Sequence, residues 1–272
     1  MANIVIGHNP AANMLPMFYF LDQTDPTLEF ITDVPTGHNR LLAEGKIDMA
    51  PISAFSFGEH WRNYSVLADL SVSAKGRIRS ILLYSKFELT ELDGKTIALT
   101  SASASSVNLL KIILHKFYGV KPTYVTMPPQ IHEMLGQADA ALLIGDEALM
   151  GLGVNTGCKV YDLSDEWLKH TGLPMTFSVW AVRNSIIENF PQSVANVHAK
   201  LLESKKLGLE NINKIVDRCI TELGNDSFFW ESYFSLLRYD LTPELLKGLN
   251  TYFAYCVELG LLPDQPEIRI FA

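Results

Sequence analysis

Seven residues between positions 100 and 106, Thr-Ser-Ala-Ser-Ala-Ser-Ser, combine side-chain hydroxyls with a place where a strand passes into a helix. The strand pattern covers residues 94–100, and apolar residues at helical spacing run from 107 to 117. Free N–H groups at a helix start bind carboxylates and phosphates. Several hydroxyls of the run would join them as donors. The same serines are typical helix caps, so an anion site and a simple cap are both open.

Two further turns carry polar side chains directly after strand patterns in the first part of the chain. Asn13 lies in the turn after the strand at 3–7, where its amide would either orient a substrate or stabilise the turn itself. Ser53 ends a short buried strand at 47–52. Ligands of open α/β sheets bind outside the carboxyl ends of the strands, which makes both side chains candidates for substrate binding.

Carboxylates at three strand patterns have different expected roles. Gly145 and Asp146 follow a buried strand at 139–144 and are candidates for the same ligand site. Asp146 would either face a ligand or cap the helix that begins there, and capping is the more favoured role. Asp48 and Asp139 precede their strands, at the end away from the proposed site, and we assign them to structure.

Strands and helices alternate along the chain, which predicts mainly parallel sheets in an α/β fold. Residues 42–50 and 134–141 share one pattern of helix end, small turn, aspartate and buried strand, which indicates two similarly built halves. A strand at 177–182 returns the chain to the first half. The second half is therefore expected to be an insertion.

The expected domains are a discontinuous domain I, residues 1–86 and 178–272, and an inserted domain II, residues 87–177. The four candidate strand ends come from both domains, which predicts a ligand site in a cleft between them. Helical patterns begin near Pro191, at 212–223 and at 243–259. We expect these C-terminal helices to pack on domain I.

Composition limits the classes of partner. The chain has 272 residues and a net charge of −8 with no basic cluster, so nucleic acid is not expected as a partner. The most apolar helical stretch, 109–114, is too short to cross a bilayer, and no signal-peptide pattern precedes it, so we expect a cytoplasmic protein without membrane contact. Cys158, Cys219 and Cys256 contain no C-x-x-C pair and are expected to be reduced thiols.

Other chemistries find no support in the residue spacing. The seven histidines show no H-x-x-x-H or Cys/His metal-ligand pattern. A phosphate-binding G-x-x-x-x-G-K-[ST] loop and a G-x-S-x-G nucleophile turn are also absent from the sequence. The glycines at 151–157 depart from a dinucleotide loop because the third is displaced and no strand precedes them.

At the same turns, the sequence resembles the chorismate dehydratases of the futalosine route to menaquinone, and the resemblance covers nearly the whole chain. Several short motifs coincide in order. They are Asn-Met-Leu-Pro at 13–16, Gly-Lys-Ile-Asp-Met-Ala-Pro-Ile-Ser at 45–53, the segment 69–85 with Ser-Ile-Leu-Leu-Tyr-Ser at 80–85, Ser-Ala-Ser-Ser at 103–106, Ile-Gly-Asp-Glu-Ala-Leu at 144–149, and Thr-Gly-Leu-Pro at 171–174 before Trp180-Ala181.

The resemblance implies a type II periplasmic-binding-protein fold and loss of water from chorismate, giving 3-[(1-carboxyvinyl)oxy]benzoate without a metal or organic cofactor. It places the catalytic asparagine at Asn13. In that family the substrate's own enolpyruvyl carboxylate is thought to take the proton while the asparagine orients it. Family substrate contacts fall on Ser80, Ser103, Ser105 and Ser106. The chain departs from the family in having Ala11-Ala12 where Tyr-Leu is usual, and Ser105 where a threonine is usual.

Two other functions are compatible with the sequence. The fold also serves solute capture, so a small-anion binding protein without catalysis is one alternative. The other is 1,4-dihydroxy-6-naphthoate synthase of the same route. Residues 7–13 faintly resemble the opening turn of that enzyme. The segments 69–85 and 144–149 favour the dehydratase. The sequence does not indicate an oligomeric state.

Overall fold

Strands and helices alternate along most of the chain in the computed structural model, which describes residues 3–272. The strands are β1 Ile4–His8, β2 Leu28–Thr32, β3 Met49–Ser53, β4 Tyr64–Ala74, β5 Ile81–Ser85, β6 Thr96–Thr100, β7 Thr123–Met127, β8 Ala140–Ile144, β9 Lys159–Asp162, β10 Met175–Arg183, β11 Leu237–Arg238 and β12 Ile270–Phe271. The helices are α1 Leu15–Phe18, α2 Pro35–Ala43, α3 Ala54–His60, α4 Ala104–Ile112, α5 Ile131–Gln137, α6 Gly145–Gly151, α7 Leu163–Thr171, α8 Asn184–Asn189, α9 Pro191–Glu210, α10 Ile212–Leu223, α11 Ser227–Leu236 and α12 Pro243–Glu258. These elements form two compact α/β units.

The first unit comprises the chain up to Ser73, Phe177–Thr242 and Pro266–Ala272. Its sheet has the strand order β11-β4-β10-β3-β1-β2, with β12 beside β4. Strands β2 and β3 run parallel to β1, whereas β10 runs antiparallel to β3 and aligns Ser178 with Ser53. The carboxyl ends of β1 and β3 therefore share one sheet edge.

The second unit comprises Ala74–Thr176 and Pro243–Gln265, and its sheet has the order β7-β6-β8-β5-β9. Strands β7 and β8 run parallel to β6, as the alternating pattern predicts. Strand β5 is antiparallel to both β8 and β9, so β5, like β10, is an exception to the mainly parallel pairing that the sequence predicts. The start of β5 consequently lies beside the carboxyl end of β8.

The repeated pattern found in the sequence corresponds to one repeated hydrogen-bonded unit. Asp48 accepts a bond from the Val5 backbone N–H at 2.9 Å, and Asp139 accepts one from the Thr96 N–H at the same distance. In both units the aspartate also donates its own N–H to the carbonyl of that partner, at 2.8 Å. The structural role expected for these two aspartates is confirmed.

The division of the chain differs from the expected domains. Residues 81–85 form β5 inside the second unit's sheet, so the first boundary falls at 73/74 and not after residue 86. Helix α12 belongs to the second unit, because the Tyr252 hydroxyl donates to the Ser105 carbonyl at 3.2 Å. The expectation that this helix packs on domain I is therefore wrong. The expected cleft stays a prediction.

The C-terminal helices of the first unit bury aromatic side chains. On α11, Trp230, Tyr233 and Phe234 are buried, whereas Phe228 is 78% exposed. Burial at this helical spacing is typical of a core-facing stripe. Among residues 3–272, no helix combines the length and apolar character needed to cross a membrane.

Candidate active site

Asn13 is positioned by a tight turn directly after β1. The Asn9 side-chain oxygen accepts a bond from the Ala11 N–H at 3.0 Å, which turns the chain back after the strand. A 3₁₀ turn, Ala12–Met14, follows and leads into α1. Asn13 thus sits near the carboxyl end of β1, as the sequence predicts.

The side-chain oxygen of Asn13 is buried and has no hydrogen-bond partner among residues 3–272. An amide oxygen in this state has lost its contacts with water without regaining a donor, which costs about 1–3 kcal/mol. Unsatisfied buried groups of this kind in proteins are explained by strain, by a bound water or ion, or by a role in function. Asn13 is therefore prepared to accept a hydrogen bond that the folded chain itself does not supply.

The backbone of Asn13 is held by Tyr239, whose hydroxyl donates to the Asn13 carbonyl at 2.9 Å. Tyr239 is buried, and this burial raises the pKa of its phenol well above the usual value, so the hydroxyl remains a donor at any ordinary pH. Tyr239 is held in turn, because its carbonyl accepts the Ser71 N–H at 2.9 Å. The next residue, Asp240, pairs with the buried Lys205 at 2.6 Å.

Replacing Tyr239 by phenylalanine is expected to lower turnover about tenfold and the free energy of unfolding by about 1–2 kcal/mol, because the Asn13 carbonyl loses its donor. Steady-state kinetics and urea unfolding would measure the two effects. Tyr255→Phe, at a half-buried tyrosine of α12, is the matched control. Equal kinetics for the wild type and Tyr239→Phe would remove the phenol as a support of Asn13.

Helix α1 is fixed by contacts on two sides. The Trp180 indole N–H of β10 points to the Met17 sulfur at 3.1 Å, and its ring centre lies 5.4 Å from that of Phe18. On the other side, a β-carbon at Gly208 of α9 would come within 2.1 Å of the Pro16 carbonyl oxygen. Only glycine permits this close approach of α9 to α1.

Ser53 stands at the carboxyl end of β3 and caps α3. Its hydroxyl oxygen accepts the Ser56 N–H at 3.1 Å and the Asn39 side-chain amide at 3.3 Å. Asn39 also accepts the Ser53 backbone N–H at 3.2 Å. A serine hydroxyl accepts two bonds and donates one, so the remaining capacity of Ser53 is that of a donor.

In the second unit, Ser80 and Gly145 are brought together at one sheet edge. The Ser80 carbonyl accepts the Gly145 N–H at 2.8 Å, directly before Ile81 and Ile144 pair across β5 and β8. Gly145 has a φ of +61°, a left-handed conformation that disfavours any side chain. The glycine is therefore required for the turn between β8 and α6.

Asp162 fixes the loop before Ser80. One of its oxygens accepts the N–H groups of Ile78 at 2.9 Å and Arg79 at 2.7 Å, and the other caps α7 by accepting that of Ser164 at 3.0 Å. Burial raises the pKa of the Asp162 carboxyl, and the amide donors oppose that rise. Asp162 thus holds the left-handed Arg79, with a φ of 63°, next to Ser80.

The serine run 101–106 caps α4, and its carboxyl-terminal serines are buried. The Ser103 oxygen accepts the Ser106 N–H at 3.2 Å, which makes Ser103 the helix cap, and its hydroxyl donates to the Ser106 oxygen at 3.1 Å. Ser105 is buried, with its carbonyl bonded to Tyr252. The Ser106 hydroxyl still has its own proton to donate. The capping interpretation is confirmed for Ser103 and does not extend to Ser106.

Asp146 is not the cap that the sequence favours. The cap position of α6 is Ile144, and Gly145 and Asp146 are the first two residues of the helix. The helix starts at the left-handed Gly145, two residues earlier than the pattern predicts. Asp146 lies in the first turn, where its charge is favourable to the helix dipole.

The structure brings the sequence candidates together in two sets. Strand pairing puts Ser80, the 101–106 turn, Gly145 and Asp146 at one edge of the second unit's sheet. Asn13 and Ser53 lie at one edge of the first unit's sheet. Sequence reasoning missed three supporting residues: Tyr239, Asn39 and Asp162. Of these only Asp162 had a local signal, an aspartate just before a helix pattern.

No metal centre is formed by side chains of residues 3–272, since no group of three or more His, Cys, Asp or Glu residues is placed to hold an ion. The polar groups at the two sheet edges are mainly neutral amides and hydroxyls. Such groups bind a carboxylate through hydrogen bonds from neutral donors.

The fold is similar to that of several solved structures, which include a periplasmic binding protein. A protein from Archaeoglobus fulgidus matches with a TM-score of 0.79 and 22% identity, over 95% of this chain and 98% of that one. The alkanesulfonate-binding protein SsuA from Xanthomonas axonopodis pv. citri, bound to MOPS, matches with a TM-score of 0.74 and 16% identity, over 100% and 98% of the two chains. The predicted fold class is confirmed.

Sequence comparison gives the family. Chorismate dehydratase from Thermus thermophilus is 32% identical to this chain, and the alignment covers 94% of this chain and 95% of the relative. The family model described as menaquinone biosynthesis matches residues 4–258. The match covers both sets of candidate residues, and so the chain belongs to the menaquinone biosynthesis family, together with the chorismate dehydratase that it resembles.

Proposed function

We propose that this chain is a chorismate dehydratase, which removes water from chorismate and forms 3-[(1-carboxyvinyl)oxy]benzoate in the futalosine route to menaquinone. Family membership and the identity of 32% to a chorismate dehydratase support the proposal. The structural observation behind it is the buried Asn13 side-chain oxygen, which lacks a partner among residues 3–272. The substrate is a small molecule, and the proposal identifies it as a dicarboxylate.

The reaction needs little from the protein beyond position. Chorismate carries a hydroxyl and a hydrogen on a cyclohexadiene ring, and their loss as water makes the ring aromatic. Because aromaticity drives the elimination, the enzyme has to hold the ring and the substrate's own enolpyruvyl carboxylate in the geometry of proton transfer. That carboxylate takes the ring proton, the electrons of the broken C–H bond form the new double bond of the ring, and the hydroxyl departs with its bonding electrons and takes up the proton to leave as water.

Asn13 is the proposed catalytic residue. Its side-chain amide donates to the enolpyruvyl carboxylate and orients it, while the buried oxygen accepts a bond from a substrate hydroxyl. Tyr239 and α1 keep the amide in place. Because the group is neutral, it orients the carboxylate without taking up the proton itself.

The remaining proposed contacts are hydroxyl and backbone donors from each unit. In the first unit, the Ser53 hydroxyl has a donor capacity left after accepting two bonds. In the second unit, the Ser106 hydroxyl accepts a bond from Ser103 and still has its own proton to donate. The other proposed contacts of this unit are Ser80, Ser103 and Ser105. Gly145 and Asp146 complete the proposed set at the start of α6. Neutral donors at helix starts would hold a dianion although the chain carries a net charge of −8.

We further propose that the enzyme acts in the cytoplasm. In the described part of the chain, the three cysteines form no disulfide, as expected for a reducing compartment. Cys256 is buried, and this burial raises the pKa of its thiol to about 12, which keeps it protonated and unreactive. Nucleic acid and membrane are not among the proposed partners.

Incubating the purified protein with chorismate, with detection by mass, tests the proposed function. We expect a product lighter than chorismate by one water, with the ultraviolet spectrum of a substituted benzoate. The reaction should proceed after treatment with a chelator, since the proposed residues act without a metal.

Two results would replace the proposal with another. Unchanged chorismate at high protein concentration, together with a shift of the thermal midpoint by chorismate, would indicate a binding protein without catalysis. Turnover of cyclic dehypoxanthinyl futalosine instead of chorismate would indicate the 1,4-dihydroxy-6-naphthoate synthase.

A further inference from the structure

The second unit contains a groove that the proposed reaction does not use. It lies where the carboxyl-terminal half of α4, the start of β7 and the segment after α12 meet, and has a volume of about 340 Å³. Its walls include Lys111, Lys121, Tyr124, Val120, Leu259 and Leu261. This volume suits a molecule with a single ring.

Two ammonium groups of the groove have no ion-pair partner in the part of the chain that the structure describes. The Lys111 Nζ contacts only the Asn108 side-chain oxygen, at 3.4 Å, and lies 5.8 Å from the centre of the Tyr124 ring. Burial lowers the pKa of the Lys111 ammonium, which an anionic ligand would offset. Lys121 is exposed and donates only its backbone N–H, to Asp93 at 2.8 Å.

Glu258, the last residue of α12 and the neighbour of the lining residue Leu259, does not neutralise these lysines. Glu258 pairs with Lys116 at 2.6 Å, and Lys116 lies on the same helical stretch as Lys111. His115, which also lines the groove, is exposed and adds a third nitrogen group. The groove is therefore electropositive within an acidic protein.

The rest of the groove is apolar. Val120 is 5% exposed, and Leu259 and Leu261 are half-buried on the opposite wall. Tyr124 is half-buried, and burial raises the pKa of its phenol to about 12, so its ring stays neutral. Such walls favour a flat apolar body, whereas a free phosphate or sulfate would leave them unused.

The helix that carries Lys111 is irregular at the groove. After α4, Ile113–Phe117 form a π-helical turn, which widens the backbone between Lys111 and Lys116 and includes His115. Turns of this kind cost helical hydrogen-bond geometry and occur frequently at functional sites. The π-helical turn thus lies at the same groove as the unpaired Lys111 ammonium and the apolar walls.

We propose that this groove is a second binding site for a small aromatic carboxylate, with the carboxylate on Lys111 and Lys121 and the ring against Tyr124, Val120 and the two leucines. The groove shares no residue with the two sets of candidate active-site residues. The inference does not depend on the proposed function, because it rests on the groove's own residues.

Fluorine NMR with 4-fluorobenzoate as the probe tests the site on the full-length protein. We expect saturable binding to the wild type and about tenfold weaker binding to the double variant Lys111→Met, Lys121→Met, which keeps the apolar stems but removes both charges. Asn13→Ala should bind the probe as the wild type does. Acetate should compete at least about tenfold more weakly than 4-fluorobenzoate, because it lacks the ring.

The matched control is Lys206→Met, Lys247→Met, which removes the same charge from exposed lysines outside the groove and should not change the affinity. Circular dichroism of each variant checks that it is folded, and Tyr124→Ala provides a second groove variant that should also weaken binding. Unchanged affinity in both groove variants would overturn the proposal. Loss of binding in Asn13→Ala would also overturn it by assigning the probe to the other site.

Discussion

Replacing Asn13 by alanine is expected to lower the turnover of chorismate by about 10²–10³-fold, the usual effect of removing one oriented hydrogen-bonding group from an active site. The thermal midpoint should stay unchanged or rise. The reason is that the variant removes a buried oxygen that has no partner among residues 3–272 and therefore costs stability in the folded state. Steady-state kinetics with mass detection and a thermal melt would measure both effects.

This opposite response of activity and stability separates a catalytic asparagine from a structural one. A turn-stabilising asparagine would lose stability with its side chain, as expected for Asn9, which bonds the Ala11 N–H. Asn13→Asp should also be impaired, because it removes the amide donor and places a negative charge next to a dianion. The control Asn250→Ala, at an exposed position of α12, should change neither property. A folded Asn13→Ala variant with near-normal turnover would exclude Asn13 from the mechanism.

Replacing Gly208 by alanine is expected to lower the free energy of unfolding by about 3 kcal/mol and to reduce turnover at the same time. The added β-carbon would meet the Pro16 carbonyl oxygen at 2.1 Å and two further Pro16 backbone atoms within 2.9 Å. Backbone atoms cannot rotate away as a side chain can, so α1 and α9 must separate. Because Asn13 lies two residues before the start of α1, this separation moves the proposed catalytic amide.

Gly136→Ala provides the matched control for this substitution. Gly136 lies on the exposed face of α5, and a β-carbon there meets no atom within 4 Å. Alanine should therefore stabilise the protein by about 0.5–1 kcal/mol through helix propensity alone. Urea unfolding should show a lower free energy of unfolding for Gly208→Ala and a higher one for Gly136→Ala. Kinetics should show reduced turnover for Gly208→Ala alone. A Gly208→Ala variant as stable as the wild type would show that α9 does not constrain the Asn13 turn.

Both predictions concern the position of Asn13, a neutral group proposed to act on an anionic substrate. The proposed contacts are amides, hydroxyls and helix N–H groups, and no lysine or arginine is among them. Neutral donors stabilise a carboxylate without pairing it permanently with a cation, so the enolpyruvyl carboxylate remains basic enough to accept a proton. An arginine at this position would lower the pKa of that carboxylate and weaken it as a base.

Much of the secondary structure could be predicted from periodicity and end signals. The helix expected at 243–259 is α12 Pro243–Glu258, and the helix expected at 212–223 is α10 Ile212–Leu223. The strand expected at 177–182 lies within β10. These elements are predictable because each carries its apolar pattern and its proline or glycine signal locally.

Pairing and packing were not predictable in the same way. Strand β5 is an apolar run that fits a parallel or an antiparallel neighbour equally well, and only its partners β8 and β9 decide its direction and its unit. Helix α12 has an apolar face that suits either unit. Its position depends on Gly248, which allows contact with the Pro174 carbonyl, and on the Tyr252 bond to Ser105.

By itself, the sequence determined the chemistry available to this protein: the amide at Asn13, the hydroxyls at 103–106, and their places after strands and before helices. Only the tertiary structure decided which of these groups have hydrogen-bonding capacity left for a ligand. Ser103 uses its hydroxyl as a helix cap, whereas the Asn13 oxygen stays buried without a partner in residues 3–272. The physical reason is that hydrogen-bond satisfaction depends on residues far apart in the chain, such as Tyr239 and Asn13, which no local pattern connects.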